Sequence, residues 1–335
     1  MTILLTGGTG YIGSHTAVAL MNAGHKVVLY DNLVNSNACV VDRLEKITGA
    51  KLPFVLGDIR NTDLLASTLE SHGIEAVIHF AGLKAVGESV GDPLSYYDNN
   101  VGGTISVLRA MARVDIRRLV FSSSATVYGD PQYLPIDEAH RRSATNSYGR
   151  TKLQIENILE DLAASDARWR ITCLRYFNPV GAHDSGLIGE DPTGVPNNLM
   201  PFLARVAAGK LPYLNIFGGD YDTLDGTGVR DYIHVMDLAE GHLAAVHVLS
   251  AGGVPFDAFN LGTGRGQSVL EMLKAFEQAS GQLIPSQIVP RRAGDVSACY
   301  AKADKAAKLL GWAASRPLDD MCRSTWKFQI NKGLE

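Results

Sequence analysis

Thr6-Gly7-Gly8-Thr9-Gly10-Tyr11-Ile12-Gly13 follows at once on the apolar run that begins at Ile3. Glycines 7, 10 and 13 close a first strand and open a first helix. A residue without a Cβ lets the backbone turn sharply and approach a pyrophosphate. The helix start then offers free N–H groups and the positive end of its dipole. The same spacing also fits an ordinary tight strand-to-helix turn. The context favours the phosphate-binding reading, because Asp31 closes the next β-rich run, Lys26–Tyr30. A carboxylate there can accept hydrogen bonds from the adenosine ribose hydroxyls and repels a 2′-phosphate, so NAD is expected over NADP. Asp58, in Gly57-Asp58-Ile59 after the third run, is placed either to approach the adenine or to serve as a turn or capping residue.

Outward from this loop, short apolar runs alternate with helical patterns. The runs are Ile3–Thr6, Lys26–Tyr30, Phe54–Leu56, Ala76–Phe80, Arg118–Ser122 and Ile171–Arg175. Helices are expected near Ile12–Ala23, Thr62–Ser71, Pro93–Arg113 and Ser147–Ala164. This alternation predicts an α/β fold: a Rossmann-type doubly wound parallel sheet with helices on both faces. After Gly181 the texture becomes rich in Gly, Pro, Asp and Asn, with one clear helix, Asn198–Ala208, before helices return near Val235–Leu249, Leu270–Ala279, Lys302–Leu310 and Asp319–Phe328. Short strands fit Ala258–Leu261 and Gln287–Pro290. The division is therefore 1–180 for a dinucleotide-binding domain and 181–335 for a smaller α/β substrate domain, with chain crossings between them allowed.

Composition narrows the function. The chain has 335 residues, 46% hydrophobic and 20% charged, with a net charge of −4. That is enough apolar surface for a core, and it excludes a basic nucleic-acid footprint. No apolar run approaches the ~18 residues that a membrane span needs. Cys39, Cys173, Cys299 and Cys322 form no CxxC pair, so reduced thiols in the cytoplasm and no metal site are expected.

The fifth run leads into Ser122-Ser123-Ser124, and Tyr148-Gly149-Arg150-Thr151-Lys152 follows on a helix. Tyr148 and Lys152 lie one turn apart and share a face. A free tyrosine, with a pKa of about 10, is a poor base at neutral pH. A neighbouring ammonium and an oxidised nicotinamide favour its phenolate. A serine hydroxyl can hold a substrate oxygen in line. This is the equipment of hydride transfer from an alcohol carbon.

With these motifs the sequence resembles the extended short-chain dehydrogenase/reductase superfamily and, within it, the UDP-glucose 4-epimerase family. The resemblance runs along essentially the whole chain and is most specific in Thr6–His15, Asp31-Asn32, Gly57–Asn61, His79–Ser89, Ser122–Gly129, Leu174–Gly181, Pro196–Pro201, Asp225–Asp237 and Pro290–Asp295. It implies that Tyr148 is the catalytic base, Lys152 its partner, and Ser122 and Ser124 the polar residues beside cofactor and sugar. It implies an NAD site lined by Tyr11, Ile12, Asp31, Asn32, Asn35, Ser36, Asp58, Ile59, Phe80, Ala81, Gly82, Lys84, Asn99 and Phe177.

On the substrate side, arginine forks suit a diphosphate. Arg230 and Arg292 can serve it, or can be surface ion pairs; the resemblance implies the diphosphate, with Asp295 on the uridine ribose. It further implies Lys84, Asn178, Asn198 and Leu199 near the sugar-diphosphate, and Asn215, Ile216 and Phe217 near the uracil. The implied reaction takes the C4 hydride of a UDP-hexose to tightly held NAD and returns it to the other face. Many bacterial relatives carry tyrosine where Cys299 stands, and a small residue there implies room for a 2-acetamido group, hence UDP-GlcNAc/UDP-GalNAc as well. A homodimer built on the helices near 93–113 and 147–164 is implied too.

Several other patterns in the chain fall short of the chemistry they suggest. Gly87-Glu88-Ser89-Val90-Gly91 matches an esterase pattern, but its preceding run ends too early. The stretch Asp220–Asp231 lacks the turn glycine of a calcium loop. His242 and His247 are expected on a helix surface. A dehydratase needs a carboxyl after Ser124, where Ala125 and Thr126 stand. A uronate decarboxylase lacks a visible carboxyl-handling site, and an NAD-sensing regulator has no use for Tyr148 with Lys152.

Overall fold

The computed structural model describes residues 1–332 apart from Thr193, Val195 and Ala293. Strands β1 (Thr2–Thr6), β2 (Lys26–Asp31), β3 (Phe54–Leu56), β4 (Ala76–His79), β5 (Arg118–Ser124) and β6 (Arg170–Tyr176) alternate with α1 (Tyr11–Asn22), α2 (Cys39–Thr48), α3 (Thr62–Ser71), α4 (Val86–Gly91), α5 (Pro93–Tyr96), α6 (Gly103–Arg113) and α7 (Ser147–Ser165). The chain continues through β7 (Asn178–Val180), α8 (Leu199–Ala207), β8 (Leu214–Phe217), β9 (Val229–Arg230), β10 (Tyr232–His234), α9 (Val235–Ser250), β11 (Phe256–Leu261), β12 (Gln267–Ser268), α10 (Val269–Ser280), β13 (Ser286–Val289), β14 (Ala298–Cys299), α11 (Asp304–Leu310) and α12 (Leu318–Asn331).

Seven strands form one sheet in the order β11-β6-β5-β4-β1-β2-β3, and every pairing in it is parallel. The strands are apolar on both sides because both faces are covered. On one face α1 and α9 pack with Val18, Leu20, Leu238 and Val246 against Ile3 and Leu5. On the other, α3, α6 and α7 bring Leu65, Met111, Ile155 and Leu159 against Leu4, Val28 and Leu119. Between β1 and β4 the strand order reverses direction, which opens a crevice at the carboxyl ends of the strands.

A second core, with Met200, Leu203, Ile216, Met272, Phe276 and Met321, holds α8, α10, α12 and β8 together. Besides short strands such as β9, β12 and β14, two features of the first half had no counterpart in the sequence reading. Helix α2 buries only Leu44, so its apolar signal is weak. The helix expected over Pro93–Arg113 is broken by a π-helical turn over Tyr97–Gly102. There the buried Asn100 side chain binds the backbone of Leu83 at both ends, 2.8 and 3.0 Å away, and Gly103 lies against Ile59, where a Cβ would come within 2.4 Å of it.

Candidate active site

The loop after β1 is closed by contact. Gly7 has φ +69°, and a Cβ on it would sit 2.7 Å from the Ala81 nitrogen. A Cβ on Gly13 would lie 2.3 Å from the Gly7 oxygen. Gly10 is the N-cap of α1 and provides no side-chain cap, so the first N–H groups of the helix, at Tyr11 and Ile12, face outward unsatisfied by the helix itself. Asp31, buried at the end of β2, shapes the rim: Oδ2 accepts from Thr9 N–H at 3.1 Å, and Oδ1 from Leu33 N–H at 2.9 Å and Ser36 Oγ at 3.2 Å. Asn32 donates to Asp58 at 3.2 Å, and Asn35 lies exposed on the same loop. Arg60 binds Asp58 through backbone and guanidinium, holding the carboxyl at about 2; the turn-forming role foreseen for Asp58 is thus real. Ile59 is buried beside it. A backbone cradle, a helix start and a carboxylate at the end of the adjacent strand fit a dinucleotide.

The next strand ends add to the crevice. Phe80 and Ala81 N–H groups bond Thr6 O at 3.0 and 3.1 Å, carrying the chain past Gly82 towards Lys84. Asn99 lies in the π-turn, donating to Asn100 Oδ1 at 2.9 Å. After β6, the Phe177 N–H reaches Leu261 O at 3.2 Å.

Tyr148 and Lys152 project from the first turns of α7, whose N-cap is Asn146. Burial pushes the Tyr148 phenol up to about 12, while a hydrogen bond with the Ser124 side chain pulls the other way. Lys152 makes no hydrogen bond to the phenol and stands over its ring. Its Nζ donates to the Ser122 carbonyl oxygen at 2.7 Å and lies 5.9 Å from the centre of the Tyr148 ring. The lysine is one turn deeper and reaches β5 instead, and desolvation lowers it to about 8.

A second group forms around the paired short strands β9 and β14, where Cys299 stands opposite Arg230. Asp295 lies between two guanidinium groups, 3.9 Å from Arg230 and 3.3 Å from Arg292. Arg292 also covers the exposed Phe217 ring at 4.3 Å. Neighbouring Asn215 on β8 accepts from Gln287 at 2.8 Å, and Ile216 is buried in the second core. Cys299 is half-buried, packed against a cluster that includes Phe177, and the next residue, Tyr300, lies against Gly266. Glu190 joins the two groups: its Oε1 takes Lys84 at 3.2 Å and Asn198 at 2.7 Å, just before Leu199 starts α8. The Asn178 N–H reaches Asp231 O at 2.9 Å.

Some residues at the site escaped the sequence reading. Ser89, weighed only as an esterase nucleophile, sits inside α4 and accepts from the Tyr148 N–H at 3.2 Å. His242 is not on a helix surface. It is wholly buried, because α9 is covered by the sheet on that side; His247, nearer the end of α9, is exposed. Glu156, one turn beyond Lys152, is buried in an ion pair with Arg175 at 2.8 Å. A buried acid on a face shared with Tyr148 and Lys152 was the available signal.

The sequence matches the NAD dependent epimerase/dehydratase family over residues 3–262. It is 55% identical over 330 residues to a UDP-glucose 4-epimerase of Bacillus subtilis, covering 98% of this chain and 97% of that protein. To that of Dictyostelium discoideum it is 57% identical over 327 residues, covering 98% and 95%. Among solved structures, the UDP-glucose-4-epimerase from Stenotrophomonas maltophila with bound NAD and formylated UDP-arabinopyranose has a TM-score of 0.98 at 51% identity, covering 100% of this chain and 99% of that one. The Bifidobacterium longum UDP-glucose 4-epimerase, in complex with NAD+ and UDP, gives 0.96 at 50% identity, with 99% of each chain covered. The dinucleotide cradle is therefore carried by a chain that belongs to the NAD-dependent epimerase/dehydratase family.

Proposed function

We propose that this protein interconverts UDP-glucose and UDP-galactose at C4 with NAD retained, and that it also accepts UDP-GlcNAc and UDP-GalNAc. The carrying observation is the placement of the half-buried Tyr148 phenol near Ser124, at the end of a strand whose neighbours form the dinucleotide cradle. Gly7, Gly10 and Gly13 with Tyr11 and Ile12 hold the pyrophosphate; Asp31, with Asn32, Asn35 and Ser36 on its loop, takes the adenosine ribose. Asp58 and Ile59 flank the adenine, and Phe80 to Gly82, Lys84, Asn99 and Phe177 complete the wall.

NAD, when bound, accepts the C4 hydride and gives it back, which no side chain here can do. Tyr148 takes the 4-hydroxyl proton and later returns it. Ser124 holds the phenol and the sugar oxygen in line. Burial alone keeps Tyr148 protonated at neutral pH, so its use as a base depends on positive charge close by. Lys152, anchored on β5, supplies part of that charge, and Ser122 lies beside the nicotinamide.

Arg230 and Arg292 bind the diphosphate, Asp295 the uridine ribose, and Asn215 to Phe217 the uracil. Lys84, Asn178, Asn198 and Leu199 face the sugar-diphosphate. Cys299 leaves space at the sugar's C2, which supports the N-acetyl pair. A dehydratase reading lacks its acid, for Ala125 and Thr126 form the turn after β5.

We further infer a division in which residues 1–180 serve NAD and 181–335 mainly the UDP-sugar, with α9 and β11 crossing back. Exposed Val90 and Leu94 beside α7 support a homodimer on the helices near 93–113 and 147–164. Four free cysteines support work in the cytoplasm. The test is purified protein with UDP-galactose and no added cofactor, followed by a coupled assay for UDP-glucose. No product from enzyme that carries NAD would overturn the proposal.

A further inference from the structure

Ser89, the middle residue of Gly87-Glu88-Ser89-Val90-Gly91, is wholly buried in α4. Its Oγ lies 2.6 Å from the Val86 carbonyl oxygen and 3.2 Å from the Tyr148 nitrogen. A carbonyl oxygen only accepts, so the one hydroxyl proton goes to Val86 and the lone pairs of Oγ face the Tyr148 N–H. That N–H belongs to the first turn of α7, where a helix offers its own amides no partner. The N-cap Asn146 side chain takes the following one, at Gly149, from 2.8 Å. Ser89 thus caps, from another element, the amide of the residue that carries the phenol.

The other end of the same residue is held as well. Thr151 Oγ1 donates to the Tyr148 carbonyl oxygen at 2.7 Å and accepts from Asn100 Nδ2 at 3.1 Å. Asn100 in turn binds both backbone groups of Leu83. The segment from Leu83 to Ser89, with Lys84 inside it, therefore grips the Tyr148 backbone twice. It holds the N–H directly and the carbonyl through Asn100 and Thr151. Helix α4 is itself pinned, for the buried Tyr96 hydroxyl lies 2.8 Å from both the Ala85 carbonyl oxygen and Glu88 Oε2.

We propose that Ser89 is a positioning residue for proton transfer: by holding the Tyr148 amide it fixes the first turn of α7, and with it the place of the phenol oxygen opposite the sugar hydroxyl. The inference rests on the base role given to Tyr148 above. The phenol oxygen stands at the far end of a rigid ring, so a slight tilt of the backbone is magnified there. A base must lie within hydrogen-bond reach of the proton it removes, and a misplacement of about 1 Å costs on the order of 100-fold. The same two bonds commit both the proton and the lone pairs of Ser89, which leaves its hydroxyl no part as a nucleophile.

Ser89→Ala deletes one oxygen and tests this on the holoenzyme. With turnover counted per bound NAD, kcat should fall on the order of tenfold while KM for UDP-galactose stays within about twofold. On a Tyr148→Phe background the same change should do little more, because it acts through the phenol. With nitrogen-15-labelled tyrosine, the Tyr148 amide is the signal lost in Tyr148→Phe. Its proton should move upfield in Ser89→Ala as the hydrogen bond goes. Unchanged kcat, a loss on the Tyr148→Phe background as large as in wild type, or an unmoved amide overturns the proposal. Should Ser89→Ala not fold, Ser89→Cys, which keeps the shape and offers only a weak acceptor, enters the same comparisons. Failure of the underlying reading looks different. Tyr148→Phe with native turnover, or wild-type enzyme inert towards UDP-galactose, overturns the proposed function and this inference with it, while the amide signal still reads the Ser89–Tyr148 bond.

Discussion

Lys152 Nζ is held 2.7 Å from the Ser122 carbonyl oxygen and 5.9 Å from the centre of the Tyr148 ring, whose hydroxyl approaches Ser124, two residues further along the same strand. Base and cation thus meet at one strand end, with the ammonium over the phenol ring and not hydrogen-bonded to its hydroxyl. Tyr148→Phe should keep the fold and the bound NAD and cost on the order of 100- to 10,000-fold in kcat. Removal of NAD should leave the Tyr148 phenol close to its raised value of about 12, and reloading should bring it down. A near-ultraviolet titration of wild type against Tyr148→Phe, stripped and loaded, reads this. Identical titrations would mean that the cofactor's charge does not activate the phenol.

Asp31 makes cofactor choice measurable. Denatured protein should release NAD(H), and stripped enzyme should prefer NAD to NADP. Asp31→Asn keeps a side-chain oxygen towards Thr9 N–H and removes the charge. The preference should then shrink on the order of tenfold or more. Release of NADP from the native protein contradicts the assignment.

Cys299→Tyr should narrow the substrate range. A phenol placed opposite Arg230 on β14 refills the space beside the sugar. Overpacking a site costs ~1–3 kcal/mol, so activity on the N-acetyl pair should fall about 10- to 100-fold while UDP-glucose/UDP-galactose turnover persists. Assay of both pairs in both proteins decides it; native enzyme without activity on the N-acetyl pair removes the basis for dual specificity.

Glu156 carries a stability prediction. Its carboxylate receives Ser123 Oγ at 2.6 Å, Arg175 at 2.9 and 2.8 Å, and Arg142 at 3.1 Å. Glu156→Leu strands the buried Arg175 charge and should cost about 3–5 kcal/mol in denaturant unfolding. Adding Arg175→Met should return part of that loss. A double variant less stable than the single would show that the pair is not the cause.

Acid sensitivity follows from buried imidazoles. Burial lowers His15 and His79 to about 3, and His234 and His242 to about 4. The unfolded chain takes up these protons near its ordinary value of about 6.5, which the native state refuses until far lower pH. Stability from each is therefore intact above about 6.5 and falls as pH drops towards 4, by up to ~1.4 kcal/mol per unit. Denaturant midpoints at neutral and mildly acidic pH should separate clearly; equal midpoints would contradict this.

The parallel sheet was legible because β1 to β6 are short, doubly apolar runs separated by helix-length segments. The cradle was legible because Gly7 and Gly13 stand where a side chain would clash. Helix α2 was not, since it buries one leucine. Strands β9, β12 and β14 have two residues each, too few to show a period. The burial of His242 was hidden for another reason. Its helix is covered on the His242 side by a sheet whose edge strand, β11, comes from later in the chain, a contact no local pattern encodes. Likewise the reach of Lys152 to β5 depends on how deep α7 sits, which spacing on the helix does not give.

Strands β7 and β10 pair side by side, Asn178 with Tyr232 and Val180 with His234. The chain between them, α8 and β8 included, departs and returns beside this one parallel pair, while α10, α12 and β13 supply its packing. A segment clamped at its base behaves as an exchangeable cassette: its length and side chains can drift while its two ends keep their register. Recognition of the nucleotide sugar can thus be retuned by changes inside the cassette, with the strand ends that carry Ser124 and Asp31 left where they are.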